Sequence, residues 1–323
     1  MNKPMNEQIM NEQTLIESLA LAADGHPSQA DVLALRPFTQ DDIRARANRF
    51  VALIHEADAC SHDHVHLVAH DDRTLIQLAG GARCVLYHVS GALQFSAGSA
   101  PFHAPFEHVE EREVLTRRVT EAAQRLKISD WVGDNGSLAF ERLFQSLGQG
   151  ADRNARASEP VLFRATGAWR HAIDGIPVLG AASVALTLAG DGKLDALAVR
   201  IRPAVSEKID GAAIIAPELA ARQVAANLAS VLGNAKDRLP GNVIVSATMR
   251  FGYLDLGKRK AQRILAPVFL AQVVLRHRLE TQGYVFAVPA TERHYLELPL
   301  FGTEAVASRS RASNCGHCRD VAR

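Results

Sequence analysis

The residues best able to do chemistry are the histidines and cysteines, and they are unevenly placed. Eight of the 13 histidines fall between His55 and His108. The densest run is Cys60-Ser61-His62-Asp63-His64-Val65-His66, with His70 and Asp71 close behind. On a strand, the period of two sets Cys60, His62, His64 and His66 on one side. Imidazole with thiolate suits Zn²⁺ or a copper ion. A flat strand face spaces such ligands ~6.5–7 Å apart. Tetrahedral zinc needs convergence at ~2.0–2.3 Å, so only two neighbours from this run can share one ion. The competing reading is a polar edge ahead of the apolar Val65–Ala69 segment. A second donor set is Cys315-Gly316-His317-Cys318, where Cys-x-x-Cys is half of a zinc or copper(I) site. Another chain, or His62, His64 and His66, would complete it.

Cys-Gly-His-Cys is also the dithiol string of the protein disulfide isomerases, in which a helix N-terminus stabilises the attacking thiolate. Five residues after Cys318 are too few for that helix and its sheet, so thioredoxin-like catalysis is not expected. The same four residues resemble the modified core of methanobactin-type copper peptides, which implies a substrate whose cysteines are enzymatically modified. No Gly-x-x-x-x-Gly-Lys phosphate loop, Gly-x-Ser-x-Gly elbow or His-Glu-x-x-His helix occurs; His55-Glu56-Ala57-Asp58-Ala59 lacks the second histidine. His171 and Asp174 are near neighbours of Arg170, but strand alternation sets Arg170 and His171 on opposite faces.

The elements that would position these groups alternate in kind along 323 residues, with 47% hydrophobic and 22% charged. That balance is ordinary for a globular protein. The net charge of +1 argues against a nucleic-acid surface unless cations segregate to one face, and Lys258-Arg259-Lys260 with Arg263 is the one run that could do so. No secretory signal or membrane-length apolar run is visible, and four cysteines suit a reducing cytoplasm. Helical spacing covers Gln40–Ala57, Glu110–Ile128 and Glu218–Leu232, the last opened by Pro217 and ended by Gly233. Leu138–Leu147 reads as a short helix, and Phe140, Leu143 and Phe144 as its core-facing cluster. Strand patterns cover Val65–Ala69, Thr74–Leu78, Ala82–Val89, Ala92–Ser96, Val161–Ile173, Val178–Leu188, Leu194–Ile201, Val243–Phe251, Ile264–Arg276 and Tyr284–Pro289. Asp174-Gly175 between two of them is a strong hairpin signal. Trp169 and Tyr253 read as core aromatics.

The run Trp169-Arg170-His171-Ala172-Ile173-Asp174-Gly175-Ile176-Pro177-Val178-Leu179-Gly180 resembles the hairpin of the fungalysin/thermolysin propeptides and the related PepSY modules. The likeness extends over residues 160–290, taking in Gly190-Asp191-Gly192-Lys193, the helix at Glu218–Leu232 and the strand Leu265–Val274. It implies cystatin-like α+β folding and a role as intramolecular chaperone or inhibitor of a neighbouring metalloprotease. Helix and antiparallel strands without βαβ alternation point to an α+β fold.

The expectation is therefore an α+β protein of two cystatin-like units, residues 36–128 and 159–301, each an antiparallel sheet against an amphipathic helix. A disordered leader (1–35), a helical linker (129–158) and a flexible tail (302–323) complete it. The expected function is non-catalytic binding of a protein or peptide in the cytoplasm, without nucleic acid or membrane, and with homodimerisation left open. The alternative is a metal or thiol-redox protein using Cys315, His317, Cys318, His62, His64 and His66, with zinc or copper as cofactor.

Overall fold

Short apolar–polar alternations dominate the chain, and strands follow from them: 44% of the described residues are in strands and 25% in helices. The computed structural model describes residues 8–9, 12–23, 25–56, 65–100, 103–132, 136–151, 153–154, 156–202, 207–233, 242–277 and 279–298. In order, the elements are β1 (Gln8–Ile9), α1 (Glu12–Ala22), β2 (Gln29–Ala34), α2 (Gln40–Glu56), β3 (His66–Ala69), β4 (Arg73–Gln77), β5 (Arg83–Tyr87), β6 (Leu93–Ser96) and α3 (Arg112–Arg125). Then come β7 (Gly136–Gly148), β8 (Val161–Ile173), β9 (Ile176–Leu179), β10 (Val184–Leu188), β11 (Leu194–Val199), β12 (Glu207–Ala213), α4 (Pro217–Gly233), β13 (Asn242–Leu254), β14 (Ile264–Leu265), β15 (Pro267–His277) and β16 (Glu280–Pro289). No helix among the described residues is long and apolar enough to cross a membrane.

Two compact units interleave in sequence. A central unit takes Leu33–Lys208 and Leu254–Leu265, and a terminal unit takes Met1–Val32, Ile209–Tyr253 and Ala266–Arg323. In the central unit, eight antiparallel strands run in the order β7–β8–β10–β11–β6–β5–β4–β3. Cys84, Leu86, Leu93, Phe95, Leu186 and Leu197 are buried on one face. Their alternates Val85, Gln94, Ala185, Ala196 and Ala198 stay half-exposed, as expected for a sheet covered on one side.

Helix α2 begins where Thr39 and Asp42 exchange bonds. The Thr39 N–H donates to Asp42 Oδ2 at 2.8 Å, and the Asp42 N–H donates to Thr39 Oγ1 at 3.2 Å. This reciprocal cap satisfies two N–H groups that the first turn leaves free. The helix then buries Ile43, Ala47, Phe50 and Ile54 in the central core, with the Phe50 ring 5.7 Å from that of Phe95. Helix α3 adds Leu115, Val119 and Ala122 over β8 and β10. Each such side chain contributes roughly 1.5–3 kcal/mol by leaving water. At Gly167 in β8, a Cβ would fall 2.8 Å from Val119 Cγ2 and 2.7 Å from the Trp169 ring. Only glycine lets helix and strand approach so closely.

This architecture overturns the two cystatin-like α+β units. Strands β3–β6 and β8–β11 are not separate sheets, for β6 pairs with β11, Ser96 facing Ala196 and Leu93 facing Val199. One hydrophobic cluster accordingly runs from Ile43 to Ile201. The helical linker is also corrected. Leu138–Leu147 lies in the 13-residue strand β7, paired along its length with β8. Nor is residues 1–35 a structureless leader, since it contributes α1 and β2. The Asp174-Gly175 turn is present as expected. Both residues take positive φ, 48° and 81°, and Ile173 faces Ile176 across the hairpin.

In the terminal unit, β13, β15 and β16 form an antiparallel sheet, with β1 on β13. Helix α4 packs on this sheet and α1 packs on α4. Leu15, Leu19, Val224, Leu228, Phe269, Val273 and Phe286 share its core.

Replacing Gly167 by Ala should destabilise the protein by about 1–3 kcal/mol through overpacking against Val119 and Trp169. Denaturant unfolding checks this, and an unchanged midpoint would contradict the packing described.

Candidate functional site

Of the residues expected to bind metal, His62, His64, Cys315, His317 and Cys318 lie outside the described residues, as does Cys60. His66 opens β3, exposed at the edge of the central sheet. Among the described residues, no group of three or more His, Cys, Asp or Glu is placed to hold a metal ion. Two other histidines of the His55–His108 stretch have structural partners. Nε2 of His88 is 2.9 Å from Thr74 Oγ1 and its Nδ1 is 3.2 Å from the Asp71 carbonyl, while the backbone N–H of His70 donates to the Arg73 carbonyl. Cys84 is a buried free thiol, and burial pushes its pKa up, which leaves it a poor nucleophile.

Trp169 and Tyr253 are core residues, as expected; the Tyr253 hydroxyl donates to the Asp31 carbonyl at 2.9 Å. Phe140 and Phe144 are not. On a helix, Phe140, Leu143, Phe144 and Leu147 would share one face, because their spacing is i, i+3, i+4 and i+7. In β7 that set divides: Leu143 is buried, whereas Phe140, Phe144 and Leu147 are 38%, 50% and 54% exposed. Strand β7 pairs with β8 and with no other described strand. It is therefore a long sheet edge bearing large apolar side chains, a surface prone to pairing with another chain.

That edge is shaped rather than loose. Register shifts between Phe140 and Arg142 and between Ser146 and Leu147 kink it. At the first shift, Arg170 grips the extra residue: its Nη2 and Nε donate to Glu141 Oε2 at 2.7 and 3.1 Å. The same guanidinium donates through Nη1 to the carbonyls of Val178, Gly180 and Ala181. The Phe140 ring meets the Trp169 ring edge-on at 5.5 Å, so its exposed rim rests on the core. Arg142 lies over Phe144 at 5.7 Å.

A polar cavity of about 320 Å³ lies elsewhere in the central unit, lined by Ser99, His103, Asp191, Lys193 and Asp195 with small residues. Buried Arg164 organises its wall. The Arg164 Nε donates to Asp195 Oδ2 at 2.8 Å, and the guanidinium also donates to the carbonyls of His103 and Ala100. These residue types could form a Ser–His–Asp relay, which needs hydrogen bonds from Ser to His and from His to Asp. Among the described residues no such bond joins Ser99, His103 and Asp195, and Asp195 is committed to Arg164. The cavity is a polar hollow without an assembled nucleophile.

His171 is isolated from this chemistry. It is 7% exposed, its Nε2 has no hydrogen-bond partner among the described residues, and burial lowers its pKa to about 4. Its backbone N–H donates to Ser183 Oγ at 3.0 Å. The expected separation from Arg170 holds, for Arg170 faces Glu141 while His171 is buried.

No protein-family model and no curated protein matches the chain. A crystal structure of an uncharacterized protein from Eubacterium rectale is similar, with a TM-score of 0.50 and 9% identity over 90% of this chain and 100% of that one. The likeness is one of fold alone.

Neutral His171 ties stability to pH with a defined sign. The folded pKa of about 4 lies below the ordinary 6.5, so the unfolded chain takes up the proton first. Stability is fully present above about pH 6.5 and falls by up to about 3 kcal/mol as pH drops to about 4. His171→Leu should flatten that acid limb in denaturant unfolding at several pH values. A limb of unchanged slope would remove His171 as its source.

Proposed function

We propose that this chain is a non-catalytic binding protein that takes an extended segment of a protein or peptide partner as an added strand along β7. The observation that carries this reading is the β7 edge: 13 residues, paired among the described strands with β8 alone, with Phe140, Phe144 and Leu147 exposed. In strand addition, main-chain hydrogen bonds supply affinity and alternate side-chain contacts supply selectivity. The kink held by Glu141 and Arg170 would limit which segments fit, since only one that accommodates the shifted register can pair on both sides of it. The resemblance of the Trp169–Gly180 hairpin to propeptide modules, which act by binding a neighbouring protein, points the same way. We place the activity in the cytoplasm, on the ground that cysteines are few and Cys84 is a free thiol.

Selection of displayed peptides on the full chain should enrich segments with alternating apolar residues. Amide hydrogen exchange should then show protection along β7 on binding. A Phe144→Asp/Leu147→Asp variant, altered only where side chains are exposed, should fold normally and bind at least about tenfold more weakly. Protection of other amides, with β7 exchange unchanged, would sink the reading.

A further inference from the structure

The basic run Lys258-Arg259-Lys260 lies between β13 and β14 in a loop tied down by side chains of the central unit. Arg202, buried in the central unit, donates through Nε and Nη2 to Asp255 Oδ1 at 3.0 and 2.9 Å. Its Nη2 also donates to the carbonyls of Gly257 and Lys260 at 3.0 and 3.1 Å. Buried Gln262 closes the other end, its Nε2 donating to the Leu254 and Ile264 carbonyls and its Oε1 accepting from the Leu256 N–H. Ser90 Oγ donates to the Lys258 carbonyl at 2.7 Å. The conformation of the loop is thus fixed from within, before any ligand arrives.

What the loop presents is positive charge on the open face of the sheet. Lys258 Nζ donates to Gln94 Oε1, and Lys258 and Arg259 both lie over the Tyr87 ring, 5.1 and 5.8 Å from its centre. Arg83 alternates with Cys84 and so stands on the same face as Tyr87, while Arg200 follows β11 opposite the buried Val199. Among the described residues none of Arg83, Arg200, Lys258, Arg259 and Lys260 has a carboxylate within ion-pair distance. The acidic group of the loop itself, Asp255, is consumed by Arg202. A chain of net charge +1 therefore sets Lys258 and Arg259 together over Tyr87, with no described carboxylate paired to either. Holding like charges together opposes folding, and an anionic partner would relieve that repulsion.

We propose that this loop and the strands under it form a docking platform for an acidic polypeptide segment, distinct from the β7 edge. Charge complementarity identifies the partner's chemistry. The chain's own residues 299–323 are no candidate, carrying four arginines against Glu304 and Asp320. Single-stranded nucleic acid is disfavoured because such sites stack bases on open aromatic rings. Tyr87, under the two cations, is 5% exposed. The rigid loop pays no ordering entropy on binding, which favours a short segment with closely spaced carboxylates.

The test is fluorescence anisotropy of the full chain with a labelled octaglutamate peptide, against an oligothymidylate of equal charge. The peptide should bind more tightly than the oligonucleotide and weaken as salt rises. Lys258→Glu/Arg259→Glu should reduce peptide affinity at least about tenfold, with an unchanged circular dichroism spectrum. Arg44→Glu, on the exposed side of α2, should not. The Phe144→Asp/Leu147→Asp variant should also leave this binding unchanged, so the two surfaces can fail separately. Peptide affinity within about twofold of wild type after the charge reversal, tighter binding of the oligonucleotide, or no binding at about 100 μM peptide would overturn the proposal.

Discussion

The central unit depends on one pairing between segments about a hundred residues apart. Leu93–Ser96 runs antiparallel to Ala196–Val199, and this ladder joins the β3–β6 meander to the β8–β11 hairpins. Without it, α2 would cover one small sheet and α3 another, each with an apolar flank open to water. With it, Phe50, Phe95, Val119 and Trp169 belong to one continuous core. Pairing at such separation must overcome loop-closure entropy before it is rewarded, so the register needs strong local specification. The alternation of Leu93 and Phe95 with Gln94 and Ser96 supplies it, because a one-residue slip would turn the core side chains to solvent.

Three arginines then hold the irregular parts of that unit. Arg164, Arg170 and Arg202 each pair with one carboxylate, on Asp195, Glu141 and Asp255 respectively. Each also donates to carbonyls of a segment that lacks ladder bonds. A planar guanidinium with five donors suits this task in a way lysine does not. A buried pair such as Arg202–Asp255 adds little net stability, yet losing one partner costs about 3–5 kcal/mol. Their value lies in fixing loop geometry: the kink of β7, the wall of the polar cavity and the basic loop are each held by one of them.

Much of the local structure was legible from residue order. Helix α2 follows from the spacing of Ile43, Ala47, Phe50 and Ile54, and the β8–β9 turn follows from Asp174-Gly175. The strand β7 was not, because Phe140, Leu143, Phe144 and Leu147 imitate a helical stripe; only pairing with β8 decides between periods. The β6–β11 ladder left no local mark either, which is why one sheet read as two. The candidate docking edge was hidden by the same ambiguity, since its aromatic residues pass for core until β7 is known to be a strand. The rigidity of the basic loop was hidden too, as Arg202 and Gln262 reach it from outside the run itself.

The long β7–β8 ribbon has a bearing on how the chain can be divided. Its connecting segment, residues 149–160, is tied by Gln149 and Gly150 to Ser158, and it carries exposed Arg153 and Arg156 as cleavage points for a trypsin-like protease. A nick there would not separate the halves, because twelve paired positions of β7 and β8 and a shared core would still hold them. The polypeptide is thus suited to being expressed as two complementary fragments that reassemble, whereas either fragment alone would bare an unpaired strand and half a core.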